Sequence, residues 1–506
     1  MATARLDLRP YFNAIVSHPA RLFWAFAIVH GFFWVIIPAL TCPNAPLDVI
    51  ENYAWGREWL MGTHKHPPMQ AWWLEIFAQL TGRAPWAHYL ASQAAVLIAF
   101  WAVWDTGRRM MGERAALIGV LLLEGVLYYN FTSPEFNANI LQLPFWALAV
   151  RSFYRAVKDN RLADWLLLGL WSAGGLYSKY STVLLLVTLI ILMLARPEVR
   201  RRLRGAGPYL AIGTMALLFM PHMIWLVQHD FMPFTYAQSR MNHPHHKLSL
   251  LLGLVSGQLG ALLPAALLFF SCFNRNTSAE DELHAFDRAF LCIVTFGPFF
   301  LTFLFALAMG YHIRDMWGTP FWNFIGLWAI FRFRPKFSRE SLQRFAFGWG
   351  IIFIGILFAY GGSTLYGPYV THKTQRAHFP GRALAEKMAD AWHERYHRPL
   401  KYVIGDIWPA GNVAYYASER PHVFMMGDYT ISPWIDSADL KREGGIIVWC
   451  VRYCIGRGVN EQPPPFIHEE FPQADVQPWL TLPRQTGADV EPVIMAWAFL
   501  PPGGKK

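Results

Sequence analysis

Titratable side chains crowd the stretch from residue 48 to residue 68, which lies between two apolar segments. In order they are Asp48, Glu51, Arg57, Glu58, His64, Lys65 and His66, followed by Pro67 and Pro68. Ionisable groups next to hydrocarbon are costly to keep, and where they persist they mark sites that bind or process a ligand. This stretch is therefore the first place in the chain where we expect chemistry.

Four later polar segments are predicted on the same side of the membrane. They span residues 132–137, 178–180, 228–247 and 311–317. Two carboxylates with three or more cations suit transfer from a lipid phosphate, since a carboxylate accepts a proton from the acceptor and a cation neutralises the departing phosphate. Five histidines could suggest a metal, namely His64, His66, His243, His245 and His246. No spacing of two histidines and a carboxylate stands out, so we predict neither a metal nor a cofactor.

The composition indicates which elements must position these loops. The 506 residues are 54% hydrophobic and 15% charged, whereas soluble domains are about 25% charged. Apolar runs long enough, or nearly so, to cross ~30 Å of hydrocarbon recur over the first ~360 positions. We predict about eleven spans, near 22–40, 85–104, 115–130, 139–157, 164–177, 180–195, 208–227, 248–272, 289–309, 318–331 and 345–361.

The net charge of +10 reports orientation in the membrane. Basic residues fall in alternate loops, around positions 108–114, 151–161, 196–204 and 332–339, and short basic loops stay in the cytoplasm. The N-terminus is then cytoplasmic, and an odd number of spans places the C-terminal region in the periplasm. We predict a multi-pass protein of the cell inner membrane that contacts the bilayer and does not bind nucleic acid.

After residue 365 the sequence has the pattern of a soluble domain. We predict a transmembrane domain over 1–365 and a periplasmic α/β or α+β domain over 366–506, with a helix at 381–396 and strands at 401–404, 422–425, 445–451 and 493–499. Cys450 and Cys454 lie in this domain. If residues 448–453 form a strand, the two cysteines are ~13 Å apart, which disfavours a disulfide.

Lys179 occupies an unusual place between two predicted spans. Arg161 and Arg196 both belong to cytoplasmic loops, and only ~35 residues separate them, barely two spans. The chain is therefore expected to form a short hairpin whose turn contains Lys179. A cation at that depth normally has an anionic partner, although the side chain could instead extend to the interface.

Four motifs together resemble the GT-C superfamily of polyprenyl-phosphate-sugar glycosyltransferases, in the bacterial branch similar to protein O-mannosyltransferases and to lipid A aminoarabinose or galacturonic acid transferases. They are Asp48 with Tyr53, Trp55 and His66-Pro67-Pro68; Pro134-Glu135; Gly175 to Tyr180; and Pro221 to Trp225 with Gln228-His229-Asp230. The resemblance covers about 360 residues, and the motifs are fairly specific only as a series. It implies a GT-C-type helical membrane fold.

The resemblance makes Asp48 the candidate catalytic base and Glu135 a second catalytic candidate. The chain departs from the family pattern at Val49, where a glutamate is usual, and at Lys65, where an acidic residue is common. The candidate substrate-binding residues are Glu51, Tyr53, His64, His66, Lys179, Tyr180, His229, Arg240, Arg314 and Trp317.

Simpler roles remain open for several of these residues. Asp48 could be the N-cap of an interfacial helix, and Glu135 could cap or solvate the start of the fourth span. Arg240 and Arg314 could be solvated loop charges, and Trp317 an interfacial belt residue.

The implied reaction moves a sugar from a polyprenyl-phosphate donor to an envelope acceptor such as lipid A or other lipopolysaccharide, with inversion if the donor is β-linked. The main alternative is a transporter or flippase for a lipid-linked or anionic substrate. Transporters place charges on broken helices in mid-membrane and often have two related halves, and neither feature is evident in the sequence. A structural subunit that acts through its C-terminal domain is a second alternative.

Overall fold

The computed structural model describes residues 18–241, 247–273, 285–454 and 462–503. His243, His245 and His246 lie outside these ranges. Twenty α-helices and six strands occur in the described residues. The first fourteen helices are α1 Pro19–Thr41, α2 Leu47–Gly56, α3 Met69–Leu80, α4 Ala87–Met111, α5 Glu113–Leu121, α6 Ala138–Asp159, α7 Leu162–Ser178, α8 Thr182–Ala195, α9 Pro197–Arg200, α10 Gly207–Gln228, α11 Met232–Met241, α12 Lys247–Cys272, α13 Ala285–Met309 and α14 Ile325–Phe333.

The remaining elements begin with the last long apolar helix. They are α15 Arg339–Leu365, α16 Gly367–Thr371, α17 Gly381–Tyr396, β1 Tyr402–Gly405, α18 Ile407–Tyr416, β2 His422–Met425, α19 Ser437–Glu443, β3 Gly445–Arg452, α20 Pro465–Glu470, β4 Asp475–Val476, β5 Leu480–Leu482 and β6 Val493–Leu500. Five 3₁₀ turns accompany them at Leu122–Gly125, Leu127–Tyr129, Arg201–Arg204, Asp315–Trp322 and Arg376–His378.

Every predicted span coincides with helical structure, but the number of membrane crossings stays a prediction. Within the described ranges, six helices are long and apolar enough to cross by length and composition: α1, α4, α10, residues 251–272 of α12, α13 and α15. A seventh crossing is possible if α8 and the segment 197–204, bent by 97°, form one span. The helix α6 has 22 residues but carries Arg151, Arg155 and Lys158 in its second half, and α7 has only 17 residues.

The chain divides into two compact units, which are described separately. Unit 1 comprises residues up to Val35, His64–Gln70 and Tyr89–Phe358, and unit 2 comprises Ile36–Thr63, Ala71–His88 and residues from Ala359 onward. The predicted domain boundary near 365 remains a prediction.

In unit 1, ion pairs hold the charged ends of several helices. Asp105 is buried and accepts hydrogen bonds from Arg108 and Arg151, with oxygen–nitrogen distances of 2.7 and 2.5 Å. Lys158 pairs with Asp287 at 3.0 Å. Buried carboxylates need such partners, so part of the basic charge noted in the sequence is matched within the protein.

Unit 2 contains a mixed sheet in the order β2-β1-β3-β6-β4, with β5 also paired to β6. The strands β1, β2 and β3 are parallel, and β6 runs antiparallel to β3. A buried cluster that includes Ile404, Phe424, Ile447 and Trp449 forms the core of this region. The predicted α/β or α+β character and the four longer strands are confirmed, and the helix predicted at 381–396 is α17.

The expectation about the two cysteines is wrong. Cys450 and Cys454 form a disulfide with a Cα–Cα distance of 6.0 Å. The strand β3 ends at Arg452, and Tyr453 has a left-handed backbone with φ of 63°. The chain therefore turns back before Cys454, whereas an extended strand would have kept the thiols apart.

Candidate active site

The helix α2 carries Asp48 in its first turn. Pro46 precedes the helix in an extended conformation and makes no side-chain cap bond, so Asp48 is not the N-cap that the simpler interpretation required. A carboxylate in the first turn is stabilised by the positive end of the helix dipole. Asp48 is half-buried, and its carbonyl oxygen accepts a hydrogen bond from Nδ2 of Asn52 at 2.6 Å.

Side chains on α2 fall on two opposite faces. Asp48 and Glu51 are three positions apart and share one face, and Glu51 is only 5% exposed. At about 100° per residue, Ile50, Tyr53 and Arg57 lie roughly half a turn away. Tyr53 lines a cavity on that second face, so the structure separates it from Asp48, although the sequence grouped the two.

Lys179 lies at the break between α7 and α8. Its backbone is extended, with φ of −165°, and its carbonyl oxygen accepts from the amide of Thr182 at 3.1 Å, which starts α8. The two helices approach closely here, since a Cβ added at Gly175 would lie 2.8 Å from Cγ2 of Thr182. A break between two helices is therefore present with Lys179 in it, whereas α7 packs mainly on α6 and α10 and touches α8 only near this turn.

The side chain of Lys179 is held by a hydrogen bond and by an aromatic ring. Its Nζ donates to Oδ1 of Asn139 at 2.6 Å and lies 4.8 Å from the centre of the Trp317 ring. Asn139 is in the first turn of α6, and Trp317 is in the 3₁₀ turn at 315–322. An amide oxygen and an aromatic face orient the ammonium.

The 64–66 segment adds further positive charge to unit 1. His66 is half-buried, and burial, followed by the charges of Lys179 and Lys65, lowers its pKa to about 3. His66 is thus a neutral imidazole at physiological pH. Lys65 Nζ lies 5.4 Å from the centre of the Tyr236 ring, and His64 contacts the same ring edge to face. We define the lysine cluster as Lys65, His66, Lys179, Asn139 and Trp317.

Two further candidates belong to one group of aromatic rings: Tyr180, next to Lys179, and His229, which follows α10. Tyr180 shares a hydrogen bond of 2.9 Å with Nε2 of His222 and stacks on Phe234. His229 stacks on Trp225 at 4.3 Å, and its Nδ1 donates to the Trp225 carbonyl oxygen at 2.8 Å. These rings pack against one another in unit 1.

Glu135, Arg240 and Arg314 also belong to unit 1. Glu135 is half-buried, and the N-cap of α6 is Asn137, whose Oδ1 accepts from the amides of residues 139 and 140. Glu135 therefore does not cap the helix. Arg240 is exposed in the last turn of α11, and Arg314 immediately precedes the 3₁₀ turn that contains Trp317.

The sequence argument did not identify Asn139 and Tyr236. Asn139 follows the N-cap by two positions, so its polarity was attributable to the helix start, and Tyr236 is one of many aromatic residues. Within the described ranges, no group of three or more His, Cys, Asp or Glu residues is arranged to hold a metal ion.

The chain is similar to known proteins over most of its length. Residues 65–225 match the family model described as dolichyl-phosphate-mannose-protein mannosyltransferase. The chain is 22% identical to the lipopolysaccharide core galacturonosyltransferase RgtB of Rhizobium johnstonii over 500 residues, which is 94% of each protein. It is 26% identical to RgtA of the same organism, also named a lipopolysaccharide core galacturonosyltransferase, over 38% of this chain and 39% of that protein.

A solved structure has the same fold. The crystal structure of ArnT from Cupriavidus metallidurans bound to undecaprenyl phosphate aligns with a TM-score of 0.62 and 13% identity, over 94% of this chain and 97% of that one. With the apolar helices and the family match, this confirms the resemblance inferred from the motifs. The chain is a multi-pass membrane protein with the GT-C fold, and it is similar to glycosyltransferases that act on lipopolysaccharide.

Proposed function

We propose that this enzyme transfers a sugar from a polyprenyl-phosphate donor to a lipid A or lipopolysaccharide acceptor at the periplasmic face of the inner membrane. The observation that carries the proposal is the likeness to RgtB over 94% of both chains. The fold shared with ArnT, solved with undecaprenyl phosphate, supports a lipid-linked donor. Galacturonic acid is the first sugar to test, because both named relatives transfer it.

We assign the proton transfer to Asp48 and the phosphate contact to Lys179. The acceptor oxygen forms a bond to the anomeric carbon of the sugar, and the bond from that carbon to the donor phosphate oxygen breaks. The acceptor proton passes to the carboxylate of Asp48, and the polyprenyl phosphate leaves with the bonding electrons. Lys179 offsets its new charge, and a single displacement inverts the anomeric centre.

The lysine cluster supports the phosphate role. The contacts with the amide oxygen of Asn139 and the ring of Trp317 hold the ammonium of Lys179 in one place, and an oriented cation is suited to contact a phosphate. His66, as a neutral imidazole, does not add a competing charge and can accept or donate one hydrogen bond. Glu135, Glu51, Tyr180, His229, Arg240 and Arg314 remain proposed substrate contacts.

The decisive test is transfer by purified protein in sealed proteoliposomes. Polyprenyl-phosphate galacturonic acid and lipid A are supplied together, and mass spectrometry follows a mass increase of the acceptor. A transporter would move the lipid-linked sugar without this covalent product. If no tested acceptor or sugar gives a product while the donor crosses the bilayer, the glycosyltransferase proposal fails and transport replaces it.

Orientation is tested separately with reporter fusions. Fusions after Arg204 and after Arg339 should report the cytoplasm, and one after Gly381 should report the periplasm. A cytoplasmic reporter after Gly381 would place Asp48 and Lys179 on the wrong side for a periplasmic acceptor.

A further inference from the structure

Unit 2 contains a cavity on the face of α2 that points away from Asp48. Its volume is about 210 Å³, and its walls come from α2, the end of α3, α17 and α18. Pockets for drug-sized ligands measure about 300–1,000 Å³. The space therefore suits one headgroup or one sugar-sized part of a larger molecule.

Four arginines line this cavity, and we refer to it as the arginine cavity. They are Arg57, Arg83, Arg382 and Arg420. Glu75 is 2% exposed and accepts two hydrogen bonds from Arg420, at 2.8 and 3.2 Å, and it lies 3.7 Å from Arg83. Arg382 contacts the ring of Tyr416 at 5.3 Å. The cations thus outnumber the carboxylates that contact them.

Arg57 is held in place by a neutral side chain. Its Nη2 donates to Nε2 of His422 at 3.1 Å, and Nδ1 of His422 donates to Glu58 at 2.7 Å. An imidazole that accepts at one nitrogen and donates at the other is uncharged, so the hydrogen bond fixes Arg57 without neutralising it. The nearest carboxylate contact of Arg57, to Glu58, is 3.8 Å long.

One donor of Arg57 is unused. Its Nη1 is buried and has no hydrogen-bond acceptor among the residues that the structure describes. Buried donors are normally paired, and leaving one unpaired costs about 1–3 kcal/mol. Burial, with the charges of Arg420 and Arg83 adding to it against the opposing effect of Glu58, lowers the pKa of Arg57. An anion in the cavity would relieve both penalties.

The remaining wall of the cavity is aromatic and apolar. Tyr53 and Tyr415 pack with ring centres 5.1 Å apart, beside Ile50 and Pro85. Burial raises the pKa of both tyrosines, so they remain neutral. Rings and hydroxyl groups next to guanidinium groups are suited to a sugar that carries an anionic substituent.

From this arrangement we infer that the arginine cavity binds a phosphate on the sugar headgroup of the acceptor glycolipid, at a site on α2 separate from Asp48. The inference rests on the proposed function for the identity of the ligand. It makes Arg57 and Arg382 residues that select an anionic acceptor, and His422 a positioning residue for Arg57.

The test uses full-length protein with Arg57→Gln, Arg382→Gln and the matched control Lys387→Gln. Lys387 is exposed on α17, the helix that carries Arg382, and it does not line the cavity. The acceptors are lipid A with its phosphates and the same lipid after phosphatase treatment. Loss of one charge-assisted contact should raise KM for the phosphorylated acceptor about 10- to 150-fold. The value of kcat, and KM for the phosphatase-treated acceptor, should change little.

Direct binding separates the two possible sources of the anion. Thermal unfolding of wild type and variants is followed in nanodiscs under two conditions. In one, inorganic phosphate is added, and in the other, the nanodiscs contain phosphorylated lipid A. If lipid A stabilises wild type and Lys387→Gln but neither arginine variant, the result supports the headgroup assignment. Stabilisation by inorganic phosphate alone would overturn it in favour of a free anion.

Two outcomes distinguish a failure of the proposed function from a failure of the cavity proposal. If wild type transfers no sugar but lipid A still stabilises it through Arg57, the proposed function fails and the cavity remains an anion site. If wild type is active and both arginine variants match Lys387→Gln in KM and in binding, the cavity proposal is overturned.

Discussion

Replacing Lys179 by methionine tests the proposed phosphate contact. Methionine keeps most of the length and the apolar stem but removes the charge, the hydrogen bond to Asn139 at 2.6 Å and the contact with the Trp317 ring at 4.8 Å. A hydrogen bond to a charged group contributes about 1.5–3 kcal/mol. We therefore expect kcat/KM for the lipid-phosphate donor to fall about 10- to 150-fold.

The structure also predicts how arginine behaves at this position. The ammonium of Lys179 makes one short bond, whereas the planar guanidinium of Lys179→Arg directs its donors differently. Partial recovery of activity is expected. Asn139→Ala should weaken transfer less than Lys179→Met, because it removes the orienting acceptor and leaves the charge.

The assay is single-turnover transfer in nanodiscs, with donor binding measured separately. Lys336→Met is the matched control, since Lys336 is exposed in the connection between α14 and α15 and should retain wild-type values. Donor affinity and turnover of Lys179→Met equal to those of Lys336→Met would refute the assignment, and the phosphate role would pass to Arg240 or Arg314.

Three further substitutions are predicted. Asp48→Asn should reduce transfer by roughly 10²- to 10⁴-fold with normal folding; more than about a third of wild-type turnover would exclude it as the general base. Glu75→Gln breaks the buried pair with Arg420 and should lower the free energy of unfolding by about 3 kcal/mol, measured by denaturant unfolding in detergent, whereas the exposed Glu386→Gln should not. The pKa of His66 is lowered to about 3 in the folded protein from an ordinary value of about 6.5. The unfolded chain therefore binds the extra proton between these values, so stability falls as pH drops through this window. His66→Gln should lessen the decrease in melting temperature between about pH 6.5 and pH 5. An unchanged decrease would argue against a lowered pKa of His66 in the folded protein.

Local patterns in the sequence predicted much of the fold. The helix α17 was predicted with its observed bounds because Leu384, Met388 and Trp392 recur at helical spacing and are buried. The turn at Lys179 between α7 and α8 followed from the distance between two basic loops. The strands β4 and β5, of two and three residues, are too short to give an alternating pattern.

Features that depend on long-range contacts were not predictable. Arg57, Glu75 and Arg420 come together across more than 340 positions, and no spacing in the sequence reports this. The bond between Lys179 and Asn139 joins two helices in the same way. The sequence supplied Lys179 and Asp48 as candidates. The spacing of Asp48 and Tyr53 places them on different faces of a helix, but the cavity that Tyr53 lines is formed by long-range contacts.

The disulfide between Cys450 and Cys454 reports the cellular compartment in which this segment of the chain folds. Such bonds form and persist in the bacterial periplasm and are rare in the cytosol. Thiol-reactive labelling of protein from intact cells, with and without prior reduction, would therefore reveal which side of the membrane this segment occupied when it folded. It would do so for the native protein, without attaching any reporter to it.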